Sequence, residues 1–240
     1  MGEMSKNPDF VVLISADAEW RVIRNYFPKA TIYPSPYGEW LNYSYEDITR
    51  LKQPVVFIHG GWGKVAASAS TQYSISRWHP KMVINLGTCG GFEGDIDKGE
   101  IILVEKTIIY DIFEQMGDPE EHIKHFSTEI DTSWLTTPFP LQVKRTLLVS
   151  ADRDLFYDDI TKLKAKYGAT AADWESGAIA WVAYKNQTRC LILRGVTDLV
   201  GVSGGEAYDN VNYYYENTEL IMKKLIESLP QWLLKYEDNS

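Results

Sequence analysis

Short apolar runs recur along this chain, and most are followed at once by a glycine-rich or helix-forming segment. Continuous apolar runs of strand length are typical of strands whose two faces are both buried, as in parallel sheets covered by helices. The pattern therefore predicts an α/β fold with a largely buried, mostly parallel sheet. The predicted strands are residues 10–14, 55–58, 82–86, 101–104, 147–150 and 190–193.

The segments between these runs predict the remaining elements. Asp17 opens one helix, Glu175 opens another that is rich in small residues, and a third follows Gly63. Residues 217–236 predict an amphipathic C-terminal helix that is broken or kinked at Pro230. Two stretches have little periodicity: residues 28–54, which predict short strands and turns at one edge, and residues 114–140, which predict a long loop or lid.

Composition limits the class of protein. The 240 residues, 45% of them hydrophobic, fit one soluble domain, expected at residues 10–236 after a disordered or extended tail at residues 1–9. The net charge of −9 argues against a nucleic-acid partner, which would need a basic face. The sequence lacks both a signal-peptide core and the apolar run of about 18 residues that a membrane span needs, so we expect a cytoplasmic protein.

The cysteine and histidine content predicts neither a disulfide framework nor a metal centre. Cys89 and Cys190 are the two cysteines, and both lie in apolar or glycine-rich runs, which indicates buried free thiols. The four histidines show no metal-ligand spacing. We therefore expect no metal and no cofactor.

Two carboxylates in the C-terminal third stand in positions that favour chemistry. Asp198 follows the apolar run at residues 190–193, and Glu175 opens the small-residue helix just upstream. Ligands of open α/β sheets bind beyond the carboxyl ends of the strands, so an acid at that place is a candidate for catalysis. Taken singly, each acid could equally be a helix-start carboxylate that complements the helix dipole.

Glycine-rich segments follow two of the predicted strands, at residues 60–63 and 87–91. Such turns let a ligand approach the backbone closely, and Thr88 adds a hydroxyl, but tight strand–helix turns need glycine as well. Neither segment matches GxxxxGK[ST] or GxGxxG. Sites for nucleoside triphosphates and dinucleotides are therefore disfavoured.

Five segments, in order, resemble motifs of the purine nucleoside phosphorylase / 5′-methylthioadenosine–S-adenosylhomocysteine nucleosidase superfamily, and most closely those of its nucleosidases. They are residues 14–19 (a strand ending in an acid), 61–67 (like G-I-G-K-V-x-A), 85–91 (like N-x-G-S/T-x-G-G), 173–180 (like D-M-E-x-x-A-I-A) and 194–198 (like R-x-x-S/T-D). The resemblance spans about residues 10–229. It implies a single-domain, three-layer nucleosidase-like fold with a central mixed, mostly parallel twisted sheet flanked by helices, and a homodimer.

The resemblance also implies a role for each acid. Asp198 would give a proton to N7 of the purine, Glu175 would hold the ribose 2′- and 3′-hydroxyls, and Glu19 would act as general base on water. Thr88 and Arg194 would help to order the water, the sugar and the acids. Cleavage of a glycosidic bond passes through an oxocarbenium-like state, which acids flanking the bond stabilise.

Other positions of the resemblance would line the substrate site: Cys89, Gly90 and Asp173. Trp174 stands where relatives carry a methionine beneath the ribose. Leu155 or Phe156 would form a wall against the base. Tyr208 would face the 5′-substituent, although it could equally be a surface tyrosine of a tyrosine-rich run.

The nucleophile is predicted to be water. Phosphorolysis must bind a dianion, which requires guanidinium groups and glycine-rich backbone. Phosphorylase relatives carry arginine where this chain has Asn85, and the turn at residues 15–19 carries two acids instead. The leading hypothesis is hydrolysis of a purine nucleoside, most plausibly 5′-methylthioadenosine or S-adenosylhomocysteine. A phosphate-dependent nucleoside phosphorylase and a non-catalytic nucleoside-binding protein remain as alternatives.

Overall fold

The structure is a computed structural model that describes residues 7–47, 49 and 54–238. The first six residues of the expected tail lie outside the described part. The strands are β1 (Phe10–Ile14), β2 (Tyr33–Ser35), β3 (Gly38–Tyr43), β4 (Val55–His59), β5 (Met82–Phe92), β6 (Ile101–Ile109), β7 (Ser127–Glu129), β8 (Lys144–Ser150), β9 (Ala171–Asp173), β10 (Arg189–Gly201) and β11 (Gly204–Gly205). The helices are α1 (Asp17–Tyr26), α2 (Gly63–Trp78), α3 (Pro119–His125), α4 (Tyr157–Tyr167), α5 (Ser176–Lys185) and α6 (Val211–Asp238).

All six predicted strands are present, and two of those that run further than their apolar cores do so through segments of the predicted motifs. β5 continues through the glycine run at residues 87–91, and β10 continues past Asp198. The two strands pair in parallel over eleven residue pairs, with a bulge between Val196 and Asp198. The glycine run is therefore paired strand rather than the predicted turn. Asp198 likewise lies within a strand, at a bulge, and not beyond the strand's end.

The strands of the described residues form one mixed sheet, and part of this sheet closes on itself. The order is β11-β10-β6-β8-β9-β5-β1-β4-β3-β2, with β7 on β6 and a further pairing of β10 with β5. Strands β10, β6, β8, β9 and β5 therefore form a closed ring, which removes the edges of these strands. Five of the pairings are parallel and six are antiparallel. The resemblance implied a mixed, mostly parallel sheet. The sheet is mixed, but parallel pairings are not the majority among the described strands, and its closure was not predicted.

Helices cover both faces of the strands that carry the apolar runs. Phe10, Val12 and Ile14 of β1 join a core cluster with residues of α1 and α6, among them Ile23 and Trp232. The alternate residues of β1 join a second cluster with residues of α2 and α5. Because successive side chains of a strand point to opposite faces, burial on both sides explains why β1 reads as an uninterrupted apolar run.

Two predicted features differ from the structure. The stretch at residues 114–140 is not all loop, because it contains α3 and β7. Helix α6 was predicted to be broken or kinked at Pro230. It is not broken, since Pro230 lies inside it, and the kink stays a prediction. Pro230, Trp232 and Leu233 are all buried, and this tertiary packing outweighs the loss of one backbone hydrogen bond at proline.

Two further expectations from composition can be compared with the structure. Cys89 and Cys190 are buried free cysteines, as predicted. In the parts of the chain that the structure describes, none of the helices combines the length and the apolar character of a membrane span.

Gly195 of β10 provides a test of the close packing between this strand and α6. A Cβ atom at Gly195 would lie 2.2 Å from Cγ2 of Ile221. We expect Gly195→Ala to lower the free energy of unfolding by about 1–3 kcal/mol, the usual cost of overpacking a core, as measured by urea denaturation. Gly117→Ala is the control, because the nearest atom there is 3.9 Å from the added Cβ. Equal stability of the two variants would contradict this view of the interface.

Candidate active site

A cavity of about 320 Å³ opens where β5, β9, β10 and the start of α5 meet. Its volume suits a ligand of nucleoside size. Most of the residues predicted from the sequence line it: Glu19, Thr88, Cys89, Gly90, Leu155, Asp173, Trp174, Glu175, Asp198 and Tyr208. Distant stretches of the chain thus contribute to a single cavity.

Arg194 lies behind this cavity, with a side chain that is only 1% exposed, and it does not line the wall. Its Nη2 is 2.9 Å from Oδ2 of Asp173 and 3.5 Å from Oε2 of Glu175, and its Nη1 is 3.8 Å from Oε1 of Glu19. Burial disfavours the charged guanidinium, but these three carboxylates outweigh burial and raise the pKa of Arg194. Arg194 therefore holds the carboxylates of Asp173, Glu175 and Glu19 close together from behind the cavity wall.

Gly87 allows the guanidinium to come this close. A Cβ atom there would lie 2.2 Å from Nη1 of Arg194 and 2.9 Å from Oε1 of Glu19. Any side chain would displace the ion pair, so this position requires glycine for close approach. The glycine in the third predicted motif thus serves the acidic cluster rather than a turn.

Glu19 stands in the first turn of α1 and is 1% exposed. Its Oε1 accepts hydrogen bonds from the backbone nitrogen of Thr88 at 2.7 Å and from the Thr88 hydroxyl at 2.9 Å. Its Oε2 accepts a hydrogen bond from the backbone nitrogen of Ala16 at 3.1 Å. The carboxylate is therefore fixed between α1 and β5, at the wall of the cavity.

Glu175 is the residue that precedes α5, as predicted, and its side chain reaches the start of a second helix. Its Oε1 accepts a hydrogen bond from the backbone nitrogen of Gly63, the first residue of α2, at 2.9 Å. Burial raises the pKa of Glu175 to about 8, with Arg194 opposing the shift and Asp173 and Glu19 adding to it. Burial, together with the two neighbouring acids, therefore favours a proton on Glu175 near neutral pH.

Asp198 is buried at the bulge of β10 and accepts a hydrogen bond from the Thr197 hydroxyl at 2.7 Å. Burial raises its pKa, and the charge of Glu206 adds to this effect. A carboxyl group with a raised pKa is suited to donating a proton. Asp198 and Glu175 both line the cavity, and different charged groups act on them: Glu206 on Asp198, and Arg194, Asp173 and Glu19 on Glu175.

The end of the cavity near Asp198 is formed by Leu155 and Tyr208. The Tyr208 hydroxyl donates a hydrogen bond to the Leu155 carbonyl oxygen at 2.8 Å. Burial raises the pKa of Tyr208 to about 12, with Asp154 adding to the shift. Of the two wall candidates, Leu155 lines the cavity and Phe156 does not: Phe156 precedes α4 and is 59% exposed, with the Arg153 guanidinium 5.5 Å from its ring centre.

Sequence reasoning missed several lining residues: Trp62, Arg153, Asp154 and Tyr214. Tyr214 was grouped with a surface run of tyrosines, but burial raises its pKa and Glu19 adds to the shift. One signal in the sequence could have found it. Tyr214, Thr218, Ile221 and Leu225 are spaced by four, three and four residues, which places them on one helix face, and the last three are buried.

Asn85 occupies the position where phosphorylase relatives carry a phosphate-binding arginine, and it is fully buried within the sheet. Its Nδ2 donates a hydrogen bond to the Leu13 carbonyl oxygen at 3.0 Å. The side chain therefore ties β5 to β1 and does not line the cavity.

The protein has an α/β fold whose sheet is partly closed into a ring, with three buried acids around one guanidinium beside the cavity. The family model described as "Phosphorylase superfamily" matches residues 48–229, well over half of the chain. The chain belongs to the phosphorylase superfamily.

The curated relatives and the solved structures that this chain resembles are described as nucleosidases. The chain is 22% identical to a 5′-methylthioadenosine/S-adenosylhomocysteine nucleosidase of Marinomonas sp., over 72% of this chain and 80% of the relative. It is 27% identical to the protein of that name from Thermotoga maritima, over 62% and 68% of the two chains. The fold matches the Helicobacter pylori nucleosidase of that name with a TM-score of 0.77 at 15% identity, covering 95% and 100% of the chains. It matches the Arabidopsis thaliana 5′-methylthioadenosine nucleosidase with a TM-score of 0.74 at 23% identity, covering 93% and 95%.

The raised pKa of Glu175 predicts a pH dependence of stability. Between its ordinary pKa of 4.5 and the folded value of about 8, the folded protein holds a proton that the unfolded chain has lost. The contribution of this group to the free energy of unfolding therefore decreases as pH rises through this window. We expect Glu175→Gln to reduce that decrease, as measured by urea denaturation at intervals from pH 5 to 8.

A matched control for this experiment is Glu219→Gln. Glu219 lies on the surface of α6, and its hydrogen bond from Lys223 lowers its pKa, so it titrates below the window. In the control, the free energy of unfolding should depend on pH as it does in the native protein. The same slope in Glu175→Gln and in the native protein would show that Glu175 does not take up this proton.

Proposed function

We propose that this protein hydrolyses the N-glycosidic bond of a purine nucleoside, 5′-methylthioadenosine or S-adenosylhomocysteine, and releases adenine and the thioribose. The observation that carries the proposal is the meeting of Glu19, Glu175 and Asp198 at one cavity of nucleoside size. The printed descriptions of the relatives name nucleosidases that act on these two compounds, which supports the choice of substrate.

Glu19, Glu175 and Asp198, which line the cavity, each have a separate proposed role. Asp198, whose raised pKa keeps a proton available, protonates N7 of the purine and makes the base a better leaving group. Glu175 holds the ribose hydroxyls and, in its ionised form, stabilises the cationic sugar of the transition state. Glu19, fixed by Thr88, orients and deprotonates the attacking water.

Water is the proposed nucleophile because the cavity is acidic. The guanidinium nearest the Glu19 carboxylate, Arg194, is already shared by three carboxylates. Arg153 is the cationic side chain among the described lining residues, and it forms an ion pair with Asp159. A phosphate dianion would therefore lack a free cation and would be repelled by the acids, whereas a water molecule would be activated by them.

The reaction is tested by measuring adenine release from 5′-methylthioadenosine with and without inorganic phosphate. We expect equal rates in both conditions and a free reducing sugar as the second product. Asp198→Asn should lower kcat by about 10²–10⁴-fold, the usual contribution of general acid catalysis, with a smaller change in substrate affinity.

Glu219→Gln is the control for this experiment, because Glu219 pairs with Lys223 on the surface of α6 and does not line the cavity. It should retain most of the activity. A requirement for phosphate with formation of a sugar 1-phosphate would replace hydrolysis by phosphorolysis. Ligand binding without adenine release would indicate a nucleoside-binding protein instead.

We also infer that two copies of the chain assemble through a face beside the cavity. Trp62, Val65, Phe113 and Met116 are exposed apolar side chains, Met116 to 96%. The ion pair between Lys64 and Asp111 joins the segments that carry them. An exposed apolar group of this kind typically marks an interface between proteins. The cytoplasmic location expected from the sequence stays a prediction.

Light scattering after size-exclusion chromatography tests this assembly. The native protein should have twice the 27.4 kDa mass of one chain. Replacing both Phe113 and Met116 by Asp should produce a monomer, because burying unpaired carboxylates opposes association. Leu220→Asp, a change at an exposed position of α6, should leave the mass unchanged. A native protein that stays monomeric at micromolar concentration would rule out the proposed interface.

A further inference from the structure

Asp198 follows a bulge of β10, where one extra residue is inserted between Val196 and Asp198. A bulge re-aims the side chains beside it, so the direction of the Asp198 carboxyl group depends on what holds the strand on either side. Before the bulge, the segment that connects β5 to β6 holds Val196. The Val196 nitrogen donates a hydrogen bond to the Glu100 oxygen at 3.0 Å, and the Gly99 nitrogen donates one to the Val196 oxygen at 2.9 Å.

Beyond the bulge, the strand is held by Glu206, which does not line the cavity. The Leu199 nitrogen donates a hydrogen bond to Oε2 of Glu206 at 2.9 Å, and the Glu206 nitrogen donates one to the Leu199 oxygen at 3.0 Å. Leu199 directly follows Asp198, and Glu206 directly precedes Ala207 and Tyr208, which line the cavity. One residue therefore fixes both the strand next to the acid and a segment of the cavity wall.

Lys98 and Tyr213 hold the Glu206 carboxylate in place. Lys98 Nζ donates hydrogen bonds to Oε1 of Glu206 at 2.7 Å and to the Tyr213 hydroxyl at 2.9 Å, and that hydroxyl is 3.4 Å from Oε2 of Glu206. Lys98 belongs to the same connecting segment that holds Val196, so the cluster of Lys98, Glu206 and Tyr213 joins the two sides of the bulge. A half-exposed ion pair adds little to stability, so we expect the cluster to act on the geometry and charge at Asp198.

The charges of this cluster also act on Asp198. Burial opposes the ionisation of Glu206, but the hydrogen bonds from Lys98 and from the Leu199 nitrogen lower its pKa, so it is a carboxylate at neutral pH. Burial raises the pKa of Asp198, the Glu206 carboxylate adds to this effect, and the Lys98 ammonium group opposes it.

Other ionisable groups share the cavity with Asp198. Burial raises the pKa of both Cys89, on β5, and Tyr208, the latter to about 12, so these two neighbours stay uncharged at neutral pH. The remaining ionisable residues of the described lining are Glu19, Arg153, Asp154, Asp173, Glu175 and Tyr214. Substitutions in the cluster leave all of these groups in place, so the changes that follow at Asp198 can be assigned to the cluster.

We propose that Glu206, held by Lys98 and Tyr213, is a positioning residue that fixes β10 beyond the bulge and thereby orients the Asp198 carboxyl group in the cavity. The inference rests on the proposed nucleosidase function and extends it to a residue outside the cavity wall. The negative charge of Glu206 has a second effect, because it helps Asp198 to keep the proton that general acid catalysis requires. Glu206 itself neither binds the nucleoside nor transfers a proton.

Two substitutions separate the position of Asp198 from the charge near it. Glu206→Gln keeps an oxygen that can accept the hydrogen bond from Leu199, whereas Glu206→Ala removes it. We expect Glu206→Ala to lower kcat for adenine release from 5′-methylthioadenosine by about 10–10²-fold, because a misplacement of about 1 Å can cost about 10²-fold. Glu206→Gln should retain most of the native kcat at acidic pH, where Asp198 holds its proton, and KM should change less than kcat.

The titration of Asp198 tests the charge effect without relying on catalysis. The aspartate carboxyl carbons are labelled with ¹³C, and the NMR signal of Asp198 is identified by its absence in Asp198→Asn. Glu206→Gln should lower the pKa of Asp198 because it removes a negative charge, and Lys98→Gln should raise it because it removes a positive one. Both shifts should decrease at about 1 M salt, where the Debye length is about 3 Å. A merely structural effect would not produce opposite, salt-sensitive shifts.

Glu219→Ala is the matched control, because Glu219 pairs with Lys223 on the surface of α6 and does not line the cavity. It should leave kcat and the Asp198 titration unchanged, and thermal unfolding checks that each variant is folded. If Glu206→Ala does not fold, the titrations of Glu206→Gln and Lys98→Gln decide the inference.

Three results would overturn the proposal: native kcat in Glu206→Ala, equal losses of kcat in the two Glu206 variants, or an unchanged Asp198 pKa in Glu206→Gln. Failure of the native protein to release adenine from any nucleoside would instead overturn the proposed function.

Discussion

The ion cluster around Arg194 is the interaction on which the site depends. One guanidinium, 1% exposed, neutralises part of the charge of Asp173, Glu175 and Glu19. Without it, the carboxylates would repel one another in a medium of low dielectric constant, and removing one partner of such a buried pair typically costs about 3–5 kcal/mol. Burial, with the excess of acid over base adding to it, raises the pKa of Glu175, and the same excess would oppose the binding of an anionic nucleophile.

The closed part of the sheet brings this cluster together. Arg194 lies on β10 and pairs with Gly87 of β5 in parallel register. Glu19 reaches the same place from the first turn of α1, and Glu175 from the residue before α5. The bulge beside Asp198 changes the register of β10 just beyond the cluster. Acids held by strands and helix starts are positioned more rigidly than acids on loops, which would suit the proposed acid–base chemistry.

Local sequence signals predicted some elements and failed at others for identifiable reasons. The apolar run of β1 and the helix start after Glu175 were correct, because burial on both faces and a small-residue helix have local signatures. Pro230 was expected to break or kink α6. The helix is unbroken, and the energy of packing it on the core has no local signature. Tyr214 was missed for a related reason. The inward orientation of its side chain depends on where α6 begins and on what α6 contacts.

The sequence by itself determined the α/β class, the six main strands, the buried free thiols and the set of acidic residues, because these follow from periodicity, composition and motif. The tertiary structure alone decided that β5 and β10 pair and close a ring, that Arg194 lies behind the wall and that Leu155, rather than Phe156, lines the cavity. It also decided that Trp62 meets Trp174. Such contacts join residues far apart in the chain, and their energies depend on distance and burial in three dimensions, which local patterns do not encode.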